Sequence, residues 1–184
     1  MRNENLKMLI VTALFAAIIG IMAQITIPLP LVPITGQTLA IGLAATILGK
    51  RYGTLSILVY ILLGVAGVPV FSMMESGLGV VFGPTGGYII GFIPAAYLIG
   101  LYIERFGFTL AHAITANIIG MIITLTVGSV WLKFIADLSW TAALAGGVTP
   151  FILVGIIKAL LAASVGILVR KRLASAKLLP SIIA

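Results

Sequence analysis

The chain has 184 residues, of which 61% are hydrophobic and only 8% are charged, whereas about 25% of the residues of an average soluble domain are charged. So few polar side chains cannot cover a soluble enzyme of this size, and the composition is equally unlike a disordered tail. The absence of cysteine excludes disulfides, thiolate metal sites and cysteine catalysis, and the net charge of +7, spread in short clusters between apolar runs, indicates membrane topology rather than nucleic-acid binding.

Long apolar runs predict an all-α membrane protein, a six-helix transmembrane bundle that forms a single integral membrane domain, residues 1–184. A spanning helix needs about 20 apolar residues. The predicted passes occupy stretches 8–49 (two passes), 52–104 (two passes), 108–132 and 149–169. The first two stretches are broken by three prolines in residues 28–33 and by a Gly- and Pro-rich segment, 67–84, where a helix cannot continue. The first apolar run is interpreted as a membrane helix and not as a signal peptide.

The basic residues predict that both termini are cytoplasmic. Nine of them fall on one face of the six-pass arrangement: Arg2, Lys7, Lys50, Arg51, Arg105, Arg170, Lys171, Arg172 and Lys177. The opposite face has only Lys133, and Lys and Arg favour cytoplasmic loops. Both Pro/Gly-rich breaks are then external, and irregular backbone at membrane depth is tolerated where it lines a cavity. We therefore expect a pocket that opens to the outside.

Lys158 is the most informative residue, because it is a cation inside the last apolar run. Twelve residues separate it from Arg170, which is about 18 Å of helix. A cation at that depth costs roughly 3 kcal/mol on insertion scales and needs an anion or a watery cavity. Glu75 in an external break is one candidate anion, and the carboxylate of a ligand is the other. The alternative is that Lys158 snorkels to the outer interface.

Two polar segments lie at the external breaks, residues 33–38 and 83–88. Their candidate ligand-contacting residues are Thr35, Gln37, Gly83, Thr85, Gly86, Gly87 and Tyr88. Glycines allow close backbone approach, and amides at a helix start favour polar groups. The alternatives are helix capping by Thr35 and Gln37 and a tight turn whose small residues serve packing. The second segment is not a phosphate loop, because no Gly-Lys pair follows it.

Helix one carries a stripe of small residues, Ala13, Ala16, Ala17 and Gly20. Such stripes let helices approach closely. The stripe is consistent with packing inside the bundle and equally with contact to a partner subunit.

Helix five contains two further polar side chains, His112 and Asn117. A lone His has no second metal ligand, so we interpret His112 as a hydrogen-bonding residue of the bundle, whereas the deeper Asn117 is a candidate for the pocket. Trp131 and Trp140 flank the outer end of this helix, as expected for an aromatic belt. No nucleophile–base pair is visible, so we predict no enzymatic activity.

Four motifs follow one another along the chain: residues 28–30 (Pro-Leu-Pro), 32–39 (Val-Pro-Ile-Thr-Gly-Gln-Thr-Leu), 83–92 (Gly-Pro-Thr-Gly-Gly-Tyr-Ile-Ile-Gly-Phe) and the lysine of the last helix. In this order they closely resemble the BioY family. That family comprises the biotin-specific substrate-binding (S) components of energy-coupling factor (ECF) transporters. The resemblance runs through nearly the whole chain with similar spacing.

The resemblance implies a vitamin site near the outer face, roofed by loops, in a protein of the prokaryotic cytoplasmic membrane. Biotin is then a transported ligand rather than a cofactor. The implied partners are a membrane coupling subunit and two cytoplasmic ATPases, and the small-residue contact with the coupling subunit falls on Ala13 and Ala17. The S component is thought to topple in the membrane to release the vitamin inward.

The chain departs from the family at one position. The family commonly has Pro-Gly-Asp-x-x-Lys in the last helix, and here Lys158 is present but Gly155 replaces the Asp. Lys158 therefore lacks an acid one turn away, which strengthens its need for a ligand carboxylate. Other polar residues then have to hold the biotin ring: Gln37, Thr85, Tyr88 or Asn117.

The sequence therefore predicts high-affinity biotin binding for uptake, with Lys158 on the valerate carboxylate. Two alternatives remain open. One is an S component for another small carboxylated vitamin, and the other is a structural membrane subunit without a ligand. The chain has no ATP-binding motif, so it cannot power primary transport alone.

Overall fold

The computed structural model of the protein describes residues 2–176 and 178–179, with side chains from Glu4 onward. Lys177, one of the basic residues expected on the cytoplasmic face, lies outside the described residues, and so does the side chain of Arg2. Within the described part of the chain, helices form almost all of the regular structure.

The helices follow one another with short connections. They are α1 (Arg2–Ala23), α2 (Gln37–Val65), α3 (Leu78–Val81), α4 (Gly86–Phe106), α5 (Leu110–Ile135), α6 (Trp140–Gly147) and α7 (Thr149–Ser175). A two-stranded antiparallel sheet, β1 (Thr26–Ile27) and β2 (Ile34–Thr35), follows α1, and a 3₁₀ turn, Ser72–Met74, follows α2. The proline-rich residues 28–33 form the turn between the two strands, where backbone donors are not needed.

Five helical stretches of the described chain are long and apolar enough to cross a membrane. They are Glu4–Ala23, Gln37–Val65, Gly86–Phe106, Leu110–Ile135 and Trp140–Ser175. The length and apolar composition of these five stretches confirm the prediction of a helical membrane protein.

Helix α2 is a helical hairpin that reverses at Gly49. The backbone of Gly49 has φ 77° and ψ −174°, a conformation that glycine tolerates because it lacks a Cβ. The side chain of Gln37 donates a hydrogen bond to the hydroxyl of Tyr60, 23 residues later, a separation of about 35 Å in a straight helix. The helix therefore consists of two antiparallel arms, residues 37–48 (the first arm) and residues 50–65 (the second arm).

The reversal at Gly49 is held by charged groups from two other helices. Arg170 of α7 donates to the carbonyl of Ile47 at the end of the first arm, and its guanidinium carbon lies 3.6 Å from the ring centroid of Phe108. The carboxylate of Glu104 accepts the backbone N–H of Lys50 at 2.9 Å at the start of the second arm. A cation at a helix C-terminus and an anion at an N-terminus satisfy orphan backbone groups and match the helix dipoles.

The same end of the bundle collects most of the described basic residues. Lys50 and Arg170 lie there through their contacts with Glu104 and with the carbonyl of Ile47, and Arg105 lines one surface depression with Lys50 and Glu104. Lys7 belongs to this end because its neighbour Met8 packs in one apolar cluster with Ile47 and Leu48. The opposite end carries the sheet and the segment 66–85, which connects α2 to α4. The two ends of the bundle therefore differ strongly in charge.

Helix α7 runs parallel to the first arm of α2. Lys158 donates to the carbonyl of Thr35 at 2.6 Å, and Arg170 donates to the carbonyl of Ile47. Both bonds join residues that are 123 positions apart, so the two helices keep one register over twelve residues, about 18 Å.

Small residues allow α7 and the first arm to approach closely. A Cβ on Gly42 would lie 2.8 Å from Cβ of Ala162, and a Cβ on Gly166 would lie 2.7 Å from Cγ2 of Thr46. Neither space holds a larger side chain, so these positions fix the distance between the two helices.

The small residues of α1 divide between two faces. Ala16 is buried. Gly20 packs on Val70, because a Cβ added at Gly20 would lie only 3.2 Å from the Cβ of Val70. Ala13 and Ala17 are exposed. Packing inside the bundle therefore explains Ala16 and Gly20, whereas Ala13 and Ala17 lie on the outer surface.

Replacing Arg170 with Met is expected to lower the free energy of unfolding by about 1–3 kcal/mol, because the carbonyl of Ile47 loses its buried donor. Lys171→Met is the matched control, since Lys171 is the next residue of the same helix and is exposed. The measurement is the melting temperature of each purified variant in detergent. Equal melting temperatures for the two variants would show that Arg170 does not stabilise the reversal.

Candidate ligand-binding site

A cavity of about 390 Å³ lies at the end of the bundle opposite the basic residues. Its volume is in the range of small-molecule sites, about 300–1,000 Å³. The loop after β1, the segment 66–85 and helices α2, α4, α5 and α7 all contribute to its wall. The polar and charged lining residues are Thr35, Gln37, Thr38, Ser72, Glu75, Thr85, Tyr88, Thr124 and Lys158.

Lys158 is half-buried on the cavity wall. Its Nζ donates to the carbonyl of Thr35, and no carboxylate of the described residues lies within 4.0 Å of it. Glu75 lines the same cavity but does not pair with it. An ammonium has three donors, so two N–H groups remain for a ligand. The ammonium thus lies at the cavity and not at an outer interface.

Thr35 and Gln37 line the cavity and also organise the start of α2. The hydroxyl of Thr35 donates to Oε1 of Gln37 at 2.7 Å and accepts the backbone N–H of Gln37 at 3.3 Å. Nε2 of Gln37 donates to the hydroxyl of Tyr60, whose ring packs edge-on against Phe71 at 5.6 Å between centroids. Thr35 therefore accepts the first amide of α2 and also lines the cavity, whereas the side chain of Gln37 bonds to Thr35 and Tyr60 and caps no backbone amide, so capping by Gln37 is wrong.

The second polar segment places some of its candidate residues on the cavity and others behind it. Gly83, Thr85 and Tyr88 line the cavity. Gly86 and Gly87 do not line the cavity and face its surroundings instead. A Cβ on Gly86 would overlap the carbonyl of Val81, and a Cβ on Gly87 would overlap Trp131. These two glycines let the first turn of α4 pack closely, Gly86 against the end of α3 and Gly87 against α5.

Two aromatic residues fix this wall. The hydroxyl of Tyr88 donates to the carbonyl of Gly147 at 2.8 Å, so its oxygen keeps only acceptor capacity for a ligand. The indole N–H of Trp131 donates to the carbonyl of Gly83 at 2.9 Å. Trp131 therefore holds the loop, a role beyond the aromatic belt that the sequence suggested, whereas Trp140 is 51% exposed.

Asn117 lies at a second, deeper cavity of about 60 Å³. Its amide donates to the hydroxyl of Thr46 and to the carbonyl of Ala113, both at 2.9 Å. The two donors of Asn117 are thus used inside the bundle, and Asn117 is not on the wall of the larger cavity. His112 makes the expected bundle contact, with Nδ1 3.2 Å from the carbonyl of Gly107.

Gly155 lines the deeper cavity beside Lys158. A Cβ at this position would lie 2.5 Å from Sδ of Met121. The thioether of Met121 therefore occupies the space that a side chain at position 155 would need. The position one turn from Lys158 therefore supplies no charge.

The sequence did not predict several residues of the cavity wall: Thr38, Phe92, Thr124, Leu125 and Phe151. Thr38 lies in the polar segment 33–38 that the sequence singled out, and its hydroxyl is the signal that points to it. The others are ordinary members of apolar helices, and only the packing of α4, α5 and α7 brings them to the cavity.

Comparison with known proteins gives the family. Residues 1–175 match the model of the BioY family. The chain belongs to the BioY family. It is 42% identical to biotin transporter BioY2 of Lactococcus lactis subsp. cremoris over 167 residues, which cover 91% of this chain and 92% of that protein. It is 38% identical to biotin transporter BioY of Thermotoga maritima over 167 residues, which cover 90% and 97% of the two chains.

A solved structure has the same fold. The crystal structure of the S-component for biotin from an ECF-type ABC transporter matches with a TM-score of 0.85 at 29% identity, covering 93% of this chain and 94% of that chain. This member of the BioY family thus has the S-component fold and is a multi-pass protein of the cell membrane, and its relatives are transporters. The resemblance seen in the sequence is confirmed.

Gly87→Ala is expected to lower the free energy of unfolding by about 1–3 kcal/mol, because the added methyl overlaps Trp131 and pushes the first turn of α4 away from α5. Gly79→Ala is the control, since no atom lies within 4 Å of a Cβ at that glycine. The melting temperatures of the two variants in detergent provide the comparison. A Gly87→Ala protein as stable as the control would contradict the packing role assigned to Gly87.

Proposed function

We propose that this chain is the biotin-binding S component of an ECF transporter and captures biotin for uptake across the cell membrane. The observation that carries the proposal is Lys158, a cation without a carboxylate partner among the described residues, on the wall of a mostly apolar cavity. Biotin is complementary to such a site, because it joins an apolar chain and a carboxylate to a polar ring. The names of the relatives supply the identity of the vitamin.

In the proposed complex, the two remaining N–H groups of Lys158 bind the valerate carboxylate of biotin. The bicyclic ring lies towards Thr85 and Tyr88, whose hydroxyl oxygens accept from the ureido N–H groups. Gln37 forms the facing wall and offers an amide N–H to the ureido oxygen. Gly83 lets the ring approach the loop, while Gly86 and Gly87 shape that loop from behind, and Asn117 supports the floor of the site.

The same proposal includes the membrane topology. The basic end of the bundle faces the cytoplasm, as the positive-inside rule requires, and the cavity faces outside. The two arms of α2 each cross the membrane, which gives six passes with both termini inside. Residues 1–184 form a single domain in this arrangement.

The proposed partners are the ECF coupling membrane subunit and two cytoplasmic ATPase subunits. The exposed alanines of α1, Ala13 and Ala17, offer a smooth surface for the coupling subunit. The partners supply the ATP hydrolysis for which the chain has no motif.

Lys158→Met is expected to weaken biotin binding by about tenfold to a hundredfold, because hydrogen bonds to charged groups contribute about 1.5–3 kcal/mol. The wild-type protein should bind biotin more tightly than its neutral amide, and the variant should bind the two compounds almost equally. Equilibrium binding to purified protein in detergent measures these four affinities. Lys133→Met is the matched control, because Lys133 lies outside the cavity beside Phe134 and Trp140.

Equal wild-type affinity for the acid and the amide would remove the carboxylate role of Lys158. If neither form of the protein binds biotin, competition with a panel of carboxylated vitamins identifies another substrate. If no vitamin binds, the chain is a subunit without a ligand.

The absence of cysteine makes the topology directly measurable. Ser76→Cys in the exposed loop before α3 should react with a membrane-impermeant maleimide in intact cells. Ser175→Cys, exposed at the end of α7, should react only after permeabilisation. The opposite labelling pattern would reverse the proposed orientation.

A further inference from the structure

One wall of the cavity is a short strained segment, residues 71–75, here called the roof segment. Phe71, Ser72, Met73 and Glu75 of this segment line the cavity. Met73 has φ 59° and Met74 has φ 63°, so two consecutive residues with side chains are in the left-handed region. Such conformations persist only where the surrounding structure holds them.

The side chain of Gln24 holds this segment at both ends. Its Nε2 donates to the carbonyl of Phe71 at 2.9 Å, and its Oε1 accepts the backbone N–H of Met74 at 3.0 Å. A second donation from Nε2 to the carbonyl of Gly20 at 3.1 Å fixes the amide to the last turn of α1. One amide therefore spans the strained residues and ties them to a long helix.

A smaller contact supports the same junction. The hydroxyl of Thr26 lies 3.1 Å from that of Ser72 and donates to the carbonyl of Ala23 at 2.8 Å. A hydroxyl has a single proton, so Ser72 is the donor to Thr26. The roof segment thus contacts the chain after α1 through three hydrogen bonds, two of which belong to Gln24.

We propose that Gln24 is the positioning residue that keeps the roof segment closed over the bound vitamin and sets how long the vitamin stays. Gln24 is not on the cavity wall, so its role is to hold the backbone of residues 71–74 and not to contact the ligand. The inference rests on the proposed function, because biotin is the ligand whose release is timed.

Without Gln24, the left-handed residues lose the contacts that stabilise them, and the segment samples open conformations more often. A ligand leaves when the roof opens. The loss of two hydrogen bonds to the segment therefore predicts a dissociation rate about ten to thirty times faster. The association rate should change much less.

The first experiment is dissociation of labelled biotin from purified protein into excess unlabelled biotin. Gln24→Ala is expected to speed dissociation, and so is Gln24→Glu, because Glu keeps the acceptor for Met74 but sets a carboxylate oxygen against the carbonyls of Phe71 and Gly20. Asn5→Ala is the matched control, since it removes an exposed amide from the other end of the same helix. A Gln24→Ala rate equal to that of Asn5→Ala would overturn the inference.

A rescue variant separates backbone positioning from a general loss of stability. Asparagine adopts the left-handed region more readily than methionine, and Met74 is 65% exposed and does not line the cavity. Met74→Asn in the Gln24→Ala protein should slow dissociation back towards the wild-type rate. A merely destabilised protein would not recover, so an unchanged rate in the double variant would contradict the mechanism.

Amide hydrogen exchange tests the same claim without any ligand. In the Gln24→Ala protein, the amide of Met74 should exchange at least tenfold faster, while the amides of α5 keep their wild-type rates. Unchanged exchange at Met74 would overturn the inference whatever the ligand is. If biotin does not bind the wild-type protein but exchange rises as expected, the proposed function fails and the role of Gln24 stands.

Discussion

The hydrogen bond from Lys158 to the carbonyl of Thr35 is the contact on which the cavity depends. It places a cation in the apolar part of α7, where a backbone carbonyl accepts its hydrogen bond and no carboxylate of the described residues lies within 4.0 Å. The proposed function assigns this half-buried cation to a ligand carboxylate, because the attraction between opposite charges is stronger there than in bulk water. The contact also joins the last described helix to the start of α2, so one residue serves both the packing and the charge of the site.

A continuous set of contacts leads from this lysine to the roof of the cavity. Thr35 bonds to Gln37, Gln37 to Tyr60, the ring of Tyr60 packs on Phe71, and the carbonyl of Phe71 accepts from Gln24. Each member is buried or half-buried, and each polar atom in the series has a partner, which makes the arrangement rigid. The floor and the roof of the cavity are therefore built as one unit.

The elements and the charged residue could be predicted because their signals are local. Apolar runs mark the helices, the prolines of residues 28–33 mark a break, and Lys158 is conspicuous in lipid-like surroundings. The contacts of Gln24 and Trp131 could not be predicted, since they join residues 47 and 48 positions apart. A glycine in a sequence indicates that another group approaches the backbone closely, but it does not identify that group. The structure shows that Gly86 packs on Val81 and Gly87 on Trp131, which the sequence could not distinguish from contact with a ligand.

Lys158 and Thr35 are in contact but are separated by 123 positions along the sequence, and this separation has a consequence for biogenesis. During synthesis, α1 to α5 enter the membrane before α7 exists, and the carbonyl of Thr35 then has no ammonium beside it. The lysine in turn enters as an unfavourable charge, which the apolar residues around it must outweigh until α7 docks. The wall that carries Lys158 thus forms only after α1 to α5 are in place, and nascent chains that lack α7 should reach the membrane without the ammonium of the cavity.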